Sequence, residues 1–321
     1  MVKAGGGLLF HCSGAAGPRV CGCMPRLLHV QLHLLVFLLA TTAVFGHLIS
    51  LSAPALVVWR SALAAAGGAL VAGVFLRRKV IPPADRIAPL LGIGAIVGLH
   101  WLCFFGAIKL ANISICLAGL ATISFFTAFT EPWLERRRIR PLEVLLGMLV
   151  LAGILLIAGF ERGRLAGLVC GLAAALLAAV FPVLNRLLVK QGRLDPLMMV
   201  TWEMAGACLV CLIALPIIDG PGAFGRLPAL RGLDGLWLLL LAWVCTVFAH
   251  GFHIHLLRHL SAYTVNLAFN FEPVYGMIAA ALLFGEHRRM HPGFFAGTAA
   301  ILLANLLHPL ILRRIARRQA A

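Results

Sequence analysis

The sequence predicts an all-α polytopic membrane protein, with ten transmembrane helices arranged as two inverted five-helix repeats. Three observations carry that expectation. The 321 residues are 62% hydrophobic and 12% charged, with a mean hydropathy of +1.00, well outside the range of soluble domains. At about 20 residues per crossing, the apolar stretches fill roughly ten spans and leave no room for a sizeable soluble domain. Segments of the first half recur in the second, and an odd number of spans per copy inverts the second copy in the bilayer.

In chain order, residues 1–31 form a lead expected to be disordered, rich in Gly and Cys before Met24. Its apolar run Leu8, Leu9, Phe10 is shorter than a signal-peptide core, and Met24 is an alternative start. Apolar windows interrupted by Gly, Pro and charge clusters then place helices at Leu32–Ser50, Pro54–Leu76, Ile87–Ile108, Ile113–Leu134 and Leu142–Gly159. The second set falls at Leu165–Val189, Leu197–Ile218, Gly235–Leu257, Tyr263–Phe284 and Gly293–Leu312. The first repeat accordingly covers residues 32–160 and the second 161–312, with a basic tail at 313–321.

The formal charge of +16 would suggest a nucleic-acid partner in a soluble protein, but here it is read through topology. With the N-terminus inside, most of the 27 Lys+Arg fall on the inner side, including Arg77 to Lys79, Arg136 to Arg138 and Arg313 to Arg318. Only Lys109, Arg162, Arg164, Arg226, Arg231, Arg288 and Arg289 fall outside, and Arg60 lies within a span. The bias predicts cytoplasmic termini and no nucleic-acid partner.

The repeat is readable in the residues. "HWLCFFGAIKLANISICLA" from His100 aligns with "HGFHIHLLRHLSAYTVNLA" from His250, matching Ser114 to Thr264 and Leu117 to Leu267. After a one-residue slip, "ERRRI" from Glu135 meets "EHRRM" from Glu286.

Charges at membrane depth cost roughly 2.5–3.5 kcal/mol on insertion scales, which makes them functional candidates. Arg60 follows Trp59 and Glu203 follows Trp202 at related repeat positions. They read as a substrate clamp or coupling carboxylate, or as a structural ion pair meeting across the pseudo-twofold. Glu272 precedes Pro273 in the ninth span, where the proline frees a carbonyl. Tyr263, Asn266 and Asn270 share one helical stripe and are expected to line the cavity, with Glu272 on the opposite side of a straight helix. Ser124, Thr127 and Glu131 form another stripe; Glu131 reads as a gate carboxylate or as a partner of Arg136 to Arg138.

Nothing points to a metal, a cofactor or an enzyme. The nine cysteines form no disulfide or zinc framework, and the one-residue spacing of Cys21 and Cys23 is too tight for a zinc pair. His250, His253, His255 and His259 split into two pairs on different helix faces without a carboxylate, which favours interfacial or hydrogen-bonded histidines over metal ligands. Walker, GxSxG and HExxH patterns are missing from the sequence.

Together, "LVVWRSALAA" from Leu56, the segment from Leu117 through "ISFFTAFTEPWLERRRI", and "LRHLSAYTVNLAFNFEPVYGMIAAALLFGEHRRM" from Leu257 carry a resemblance. The chain resembles the EamA-like family of the drug/metabolite transporter superfamily over about Leu32 to Leu312. The resemblance implies a bacterial inner-membrane carrier, often an exporter of amino acids or related metabolites, with a cavity lined by helices three, four, eight and nine. In that family the fourth and ninth helices typically have a central proline, with a Gly-Glu after them. The second copy keeps Pro273, Gly285 and Glu286, whereas the first has Ile123, Ser124 and Leu134 at those places. The first-helix carboxylate that couples protons in similar small multidrug carriers has no counterpart in "LLVFLLATTAVFGHLIS" from Leu34, leaving Glu203 and Glu272 for any coupling proton.

The expectation is a secondary transporter moving small polar or amphiphilic metabolites by alternating access, with Arg60 suited to an anionic group such as a carboxylate. Its partners are then the substrate, the bilayer and a coupling proton. The alternatives are an accessory or scaffold protein with a carrier-like fold and, from another class, a membrane enzyme acting on lipid-linked substrates.

Overall fold

The computed structural model describes residues 24–321 except 137, 139–140, 192–193, 258, 261–264, 266–267, 270 and 320–321. All regular structure among the described residues is helical, as a bilayer requires of lipid-facing segments that must satisfy their own backbone. The chain runs through α1 (Met24–Leu48), α2 (Ala53–Leu70, extended by a π turn to Phe75), α3 (Ala84–Leu110), α4 (Ile113–Leu120), α5 (Ile123–Glu135) and α6 (Pro141–Phe160). It continues through α7 (Leu165–Gln191), α8 (Pro196–Asp219), the single turn α9 (Ala223–Arg226), α10 (Asp234–Leu239), a π-helical stretch (Leu240–Phe248), α11 (Ala249–Leu257), α12 (Glu272–Phe284) and α13 (Pro292–Gln319).

Among the described residues seven segments are long and apolar enough to cross a membrane: Val30–Leu48, Ala53–Phe75, Ala84–Leu110, Ile113–Glu135, Arg162–Lys190, Pro196–Asp219 and Asp234–Leu257. Leu145–Phe160, Glu272–Phe284 and Pro292–Ala304 are shorter apolar helices. Two boundaries differ from expectation. The first helix starts at Met24, inside the expected lead, because Pro25 is pre-organised for a first turn. The last continues through the basic tail to Gln319, since Arg, Ala and Gln are good helix formers.

The expected fourth span is broken between α4 and α5. Thr122 donates its backbone N–H (3.1 Å) and its hydroxyl (2.7 Å) to the Gly119 carbonyl, closing a turn without a proline. In the second half Pro273 sits in the first turn of α12, where its missing N–H costs nothing; it starts a helix there and does not kink one. The eighth crossing is interrupted by the π-helical stretch, in which the Thr246 hydroxyl donates to the Leu241 carbonyl at 2.8 Å.

At the centre α3 packs against both α7 and α8, α2 packs against α8, and α6 packs against α13. Small residues set these distances. A Cβ at Gly153 would lie 2.6 Å from the Gly297 carbonyl oxygen, and one at Gly297 2.6 Å from that of Gly153. Likewise Gly94 abuts the Glu203 carbonyl and Gly206 the Leu91 carbonyl, the close backbone approach on which apolar helices rely when no hydrophobic force drives them together.

Candidate functional site

A cavity of about 70 Å³ lies among these helices, lined by Leu39 and Thr42 of α1, Arg60 of α2, Val97, His100, Trp101 and Phe104 of α3, and Leu120 and Ile123 beside the α4–α5 break. Ala178 and Phe181 of α7, Cys245 of the π stretch, Ala249, His250 and His253 of α11, Phe269 and Glu272 complete the wall. Its shape follows from the interrupted helices. Both the α4–α5 turn and the start of α12 end at the cavity, and π-helical turns of the kind beside Cys245 are frequent at functional sites.

Arg60 is 1% exposed. Its Nε donates to the Thr246 hydroxyl at 2.8 Å, Nη2 donates to the Cys245 carbonyl at 3.4 Å, and the guanidinium lies 3.7 Å from the Trp101 ring centroid. Nη1 has no partner among the described residues. Glu272 shares the cavity, yet no carboxylate of the described residues lies within 4.0 Å of Arg60. Of the two readings of Arg60 and Glu203, the structural ion pair between them does not occur. Glu203, fully buried on α8, is engaged at Oε2 by His250 Nε2 (2.7 Å) and by the Asn185 amide (3.3 Å), while Oε1 is unpartnered. It therefore stands one imidazole behind the cavity wall.

The two histidines matched by the internal repeat, His100 and His250, meet in this cavity on either side of Phe181, with ring centroids 5.7 and 6.0 Å from it. His100 Nδ1 pairs with the Ala174 carbonyl at 2.8 Å. His253 adds a third ring whose Nε2 is unpartnered, as is the Thr42 hydroxyl. Among the described residues no group of three or more His, Cys, Asp or Glu is placed to hold a metal ion.

Trp59 and Trp202 are not in the cavity wall. Trp59 donates its indole N–H to the Leu227 carbonyl (2.8 Å) and Trp202 to the Val80 carbonyl (2.9 Å), so each anchors the loop that follows the other's helix. Position along a repeat marks equivalent sites without telling which way a side chain points. Thr127 bonds the Ile123 carbonyl at 2.8 Å, and Ser124 is half-buried on the same helix. Glu131, 2% exposed, lies 3.5 Å from Arg186 of α7, which Glu135 also engages at 2.6 Å. Tyr263, Asn266 and Asn270 lie outside the described residues. Thr42 and Trp101 were invisible to pattern reading because lone residues on an apolar helix carry no periodic signal; His253 was visible through its helical spacing from His250, and His100 through its repeat match to His250.

Two polar clusters lie at opposite ends of the helices. At one, Glu286 accepts from the N–H groups of Ile113 (3.1 Å) and Ser114 (2.9 Å) and from the Ser114 hydroxyl (2.6 Å), capping α4. Gly285, at φ 64°, supplies the left-handed turn that aims it. Nearby, Asp234 accepts from the Ser50 N–H (2.9 Å) and hydroxyl (2.5 Å), and Lys109 donates to the Ile49 carbonyl. At the other end Arg78 meets Asp195 at 2.8 Å, and Glu135 pairs with Arg186. There the first half has Arg136 in the left-handed conformation, at φ 56°, one position after Glu135. Glu135 consequently stays on its helix and pairs with α7.

Residues 165–308 match the model of the EamA-like transporter family. A search among curated proteins gave no significant match. Among 24 solved chains that match significantly, one described only as the crystal structure of a protein superposes with a TM-score of 0.62 at 18% identity, covering 89% of this chain and 98% of that one; at that identity the likeness concerns the fold. The apolar helices support a multi-pass membrane protein, and residues 165–308 carry its similarity to the EamA-like transporters.

Proposed function

We propose that the chain is a secondary carrier that moves a small polar or amphiphilic metabolite, such as an amino acid, across a bacterial inner membrane by alternating access. The observation that carries this reading is the cavity itself: Arg60, Thr42 and His253, three residues of its wall, each have a buried polar atom without a partner among the described residues. Unmet polar groups at that depth are costly, and a transiting solute that satisfies them explains their retention. At about 70 Å³ the cavity has room for a few waters, so loading a metabolite requires it to widen.

In this reading the three shorter apolar helices complete ten crossings, five in residues 32–160 and five in 161–312. Paired relationships support a two-fold relation: Trp59 and Trp202 anchor reciprocal loops, Gly153 and Gly297 abut each other, and His100 and His250 share one cavity. The two end clusters act as gates, with Glu131, Thr127 and Ser124 on the side of Arg186. Glu203, through His250, and Glu272 are the candidates for a coupling proton, and Tyr263, Asn266 and Asn270 for further lining. The charge bias supports cytoplasmic termini, and the family favours export.

Reconstitution into proteoliposomes tests the proposal, with an untargeted metabolite uptake and counterflow screen run with and without a pH gradient. Accumulation of a defined compound class is expected. Absence of flux from folded protein, together with a stoichiometric partner on purification, would instead indicate a scaffold.

A further inference from the structure

We propose that a lateral groove binds an anionic phospholipid, with an acyl chain along its apolar wall and the phosphate at Arg78. The groove has a volume of about 430 Å³ and shares no lining residue with the central cavity. It runs between the end of α2, the start of α8 and the interrupted eighth crossing. Two glycines in its lining bring the walls close. A Cβ at Gly67 would lie 3.1 Å from the Trp243 indole nitrogen, and one at Gly251 3.6 Å from Leu197 of α8. Trp243, Phe248 and Phe252 supply ring surface, and Trp243 and Phe248 are 44% and 61% exposed within a crossing. At about 1.5 Å per residue, the lining from Trp243 to His255 extends roughly 18 Å, close to half of a hydrocarbon core of about 30 Å. The groove is therefore about as long as one leaflet is deep.

Its two ends differ in chemistry. The Trp243 end is apolar, whereas the other holds Arg78, Asp195 and His255. Arg78 belongs to the run Arg77, Arg78, Lys79, all exposed. Arg77 takes the left-handed conformation, at φ 49°, and the Arg78 N–H returns to the Ala72 carbonyl at 2.8 Å, which fixes the run at the end of α2. Arg78 Nη1 donates to Asp195 at 2.8 Å, so the acid orients the guanidinium while 54% of the Arg78 side chain stays exposed. Three cations against one carboxylate leave this mouth net positive. The start of α8 is already capped, with the Leu197 N–H donating to Asp195 Oδ1 at 2.9 Å, so the cations carry the attraction. An apolar trough one leaflet long with a cationic mouth complements a lipid that has one negative charge at its head, and basic pockets between membrane helices hold such head groups. A zwitterionic lipid fills the trough but brings its own cation to the mouth. A free phosphate leaves the trough empty.

The test reconstitutes the full chain in vesicles of dioleoylphosphatidylcholine doped with a dibrominated phospholipid, whose bromines quench tryptophan on contact. Dibrominated phosphatidylglycerol should saturate part of the quenching at a mole fraction at least about fivefold lower than dibrominated phosphatidylcholine requires, the effect of about one Lys or Arg beside an anionic head group. Trp243→Phe should remove that component. Asp195→Asn keeps an acceptor for the Leu197 N–H and removes the acid beside Arg78, so it should hold or raise the preference, whereas Arg78→Gln should lower it at least about threefold. Glycerol 1-phosphate, a head without a chain, should leave the quenching unchanged. The two lipids on the unmodified chain, with Trp243→Phe, decide the question even where Arg78→Gln fails to fold. Equal quenching by both lipids, a phosphatidylglycerol component that survives Trp243→Phe, or displacement by glycerol 1-phosphate would each overturn the assignment. So would an Asp195→Asn variant that loses the preference as Arg78→Gln does, because Arg78 would then serve the ion pair alone. No flux is measured, so the outcome is independent of the carrier reading.

Discussion

His250 Nε2 lies 2.7 Å from Glu203 Oε2, which connects a fully buried carboxylate of α8 to the wall of the central cavity through one imidazole. The pair separates two acids that the sequence left equivalent: Glu272 touches the cavity directly, and Glu203 reaches it through a histidine. The charged and titratable groups around them are Arg60 on α2, His100 on α3, and His253 and Cys245 on the interrupted eighth crossing.

The first prediction concerns coupling. Glu203→Gln keeps an acceptor for His250 and removes the titratable group; Glu272→Gln does the same at the cavity. Transport by the unmodified chain should vary with pH, and at least one of these variants should flatten that profile. An unchanged profile in both would remove the carboxylates from coupling.

Helix contact gives a second prediction. Gly206→Ala drives a methyl group into the Leu91 carbonyl, and Gly94→Ala into that of Glu203. Each should destabilise the protein by about 1–3 kcal/mol, read as a lower unfolding temperature in detergent. Gly92→Ala is the control on the same helix, because its Cβ meets nothing within 4 Å; it should be neutral or slightly stabilising.

At the end cluster, Glu286→Ala strips the cap from α4 and leaves the buried N–H groups of Ile113 and Ser114 without an acceptor. The expected loss is about 2 kcal/mol. Glu286→Gln, which can still accept, should recover part of the unfolding temperature.

Trp59→Phe and Trp202→Phe each delete one indole-to-carbonyl bond at a loop. Each should cost about 1 kcal/mol without altering which solutes compete for transport, since neither ring lines the cavity. A changed competition profile would return these residues to the site.

Hydropathy located the seven segments long and apolar enough to cross among the described residues, because a bilayer makes apolar length an almost direct record of span. The breaks within spans were less legible. Thr122 closes a turn on Gly119 by a local hydrogen bond, at a place where proline was the expected signal, and the π-helical turns hold Thr246, whose hydroxyl accepts from Arg60 and donates to the Leu241 carbonyl. The cavity was half visible: Arg60, Glu203 and Glu272 announced themselves as charges at membrane depth, and the repeat paired His100 with His250. Which charges meet was not, because opposite signs at related repeat positions do not fix side-chain direction. Arg60 turned to Trp101 and Thr246, and Glu203 to His250.

The central claim is that the cavity opens alternately to the two faces of the membrane. Thiol labelling measures this most directly, with Thr42→Cys placed in a chain whose native cysteines are replaced and a membrane-impermeant maleimide added to each side of sealed, transport-competent vesicles. The account predicts labelling of residue 42 from both faces, slowed from either side by a transported solute. Labelling confined to one face, or none at all, in protein that still transports would contradict it.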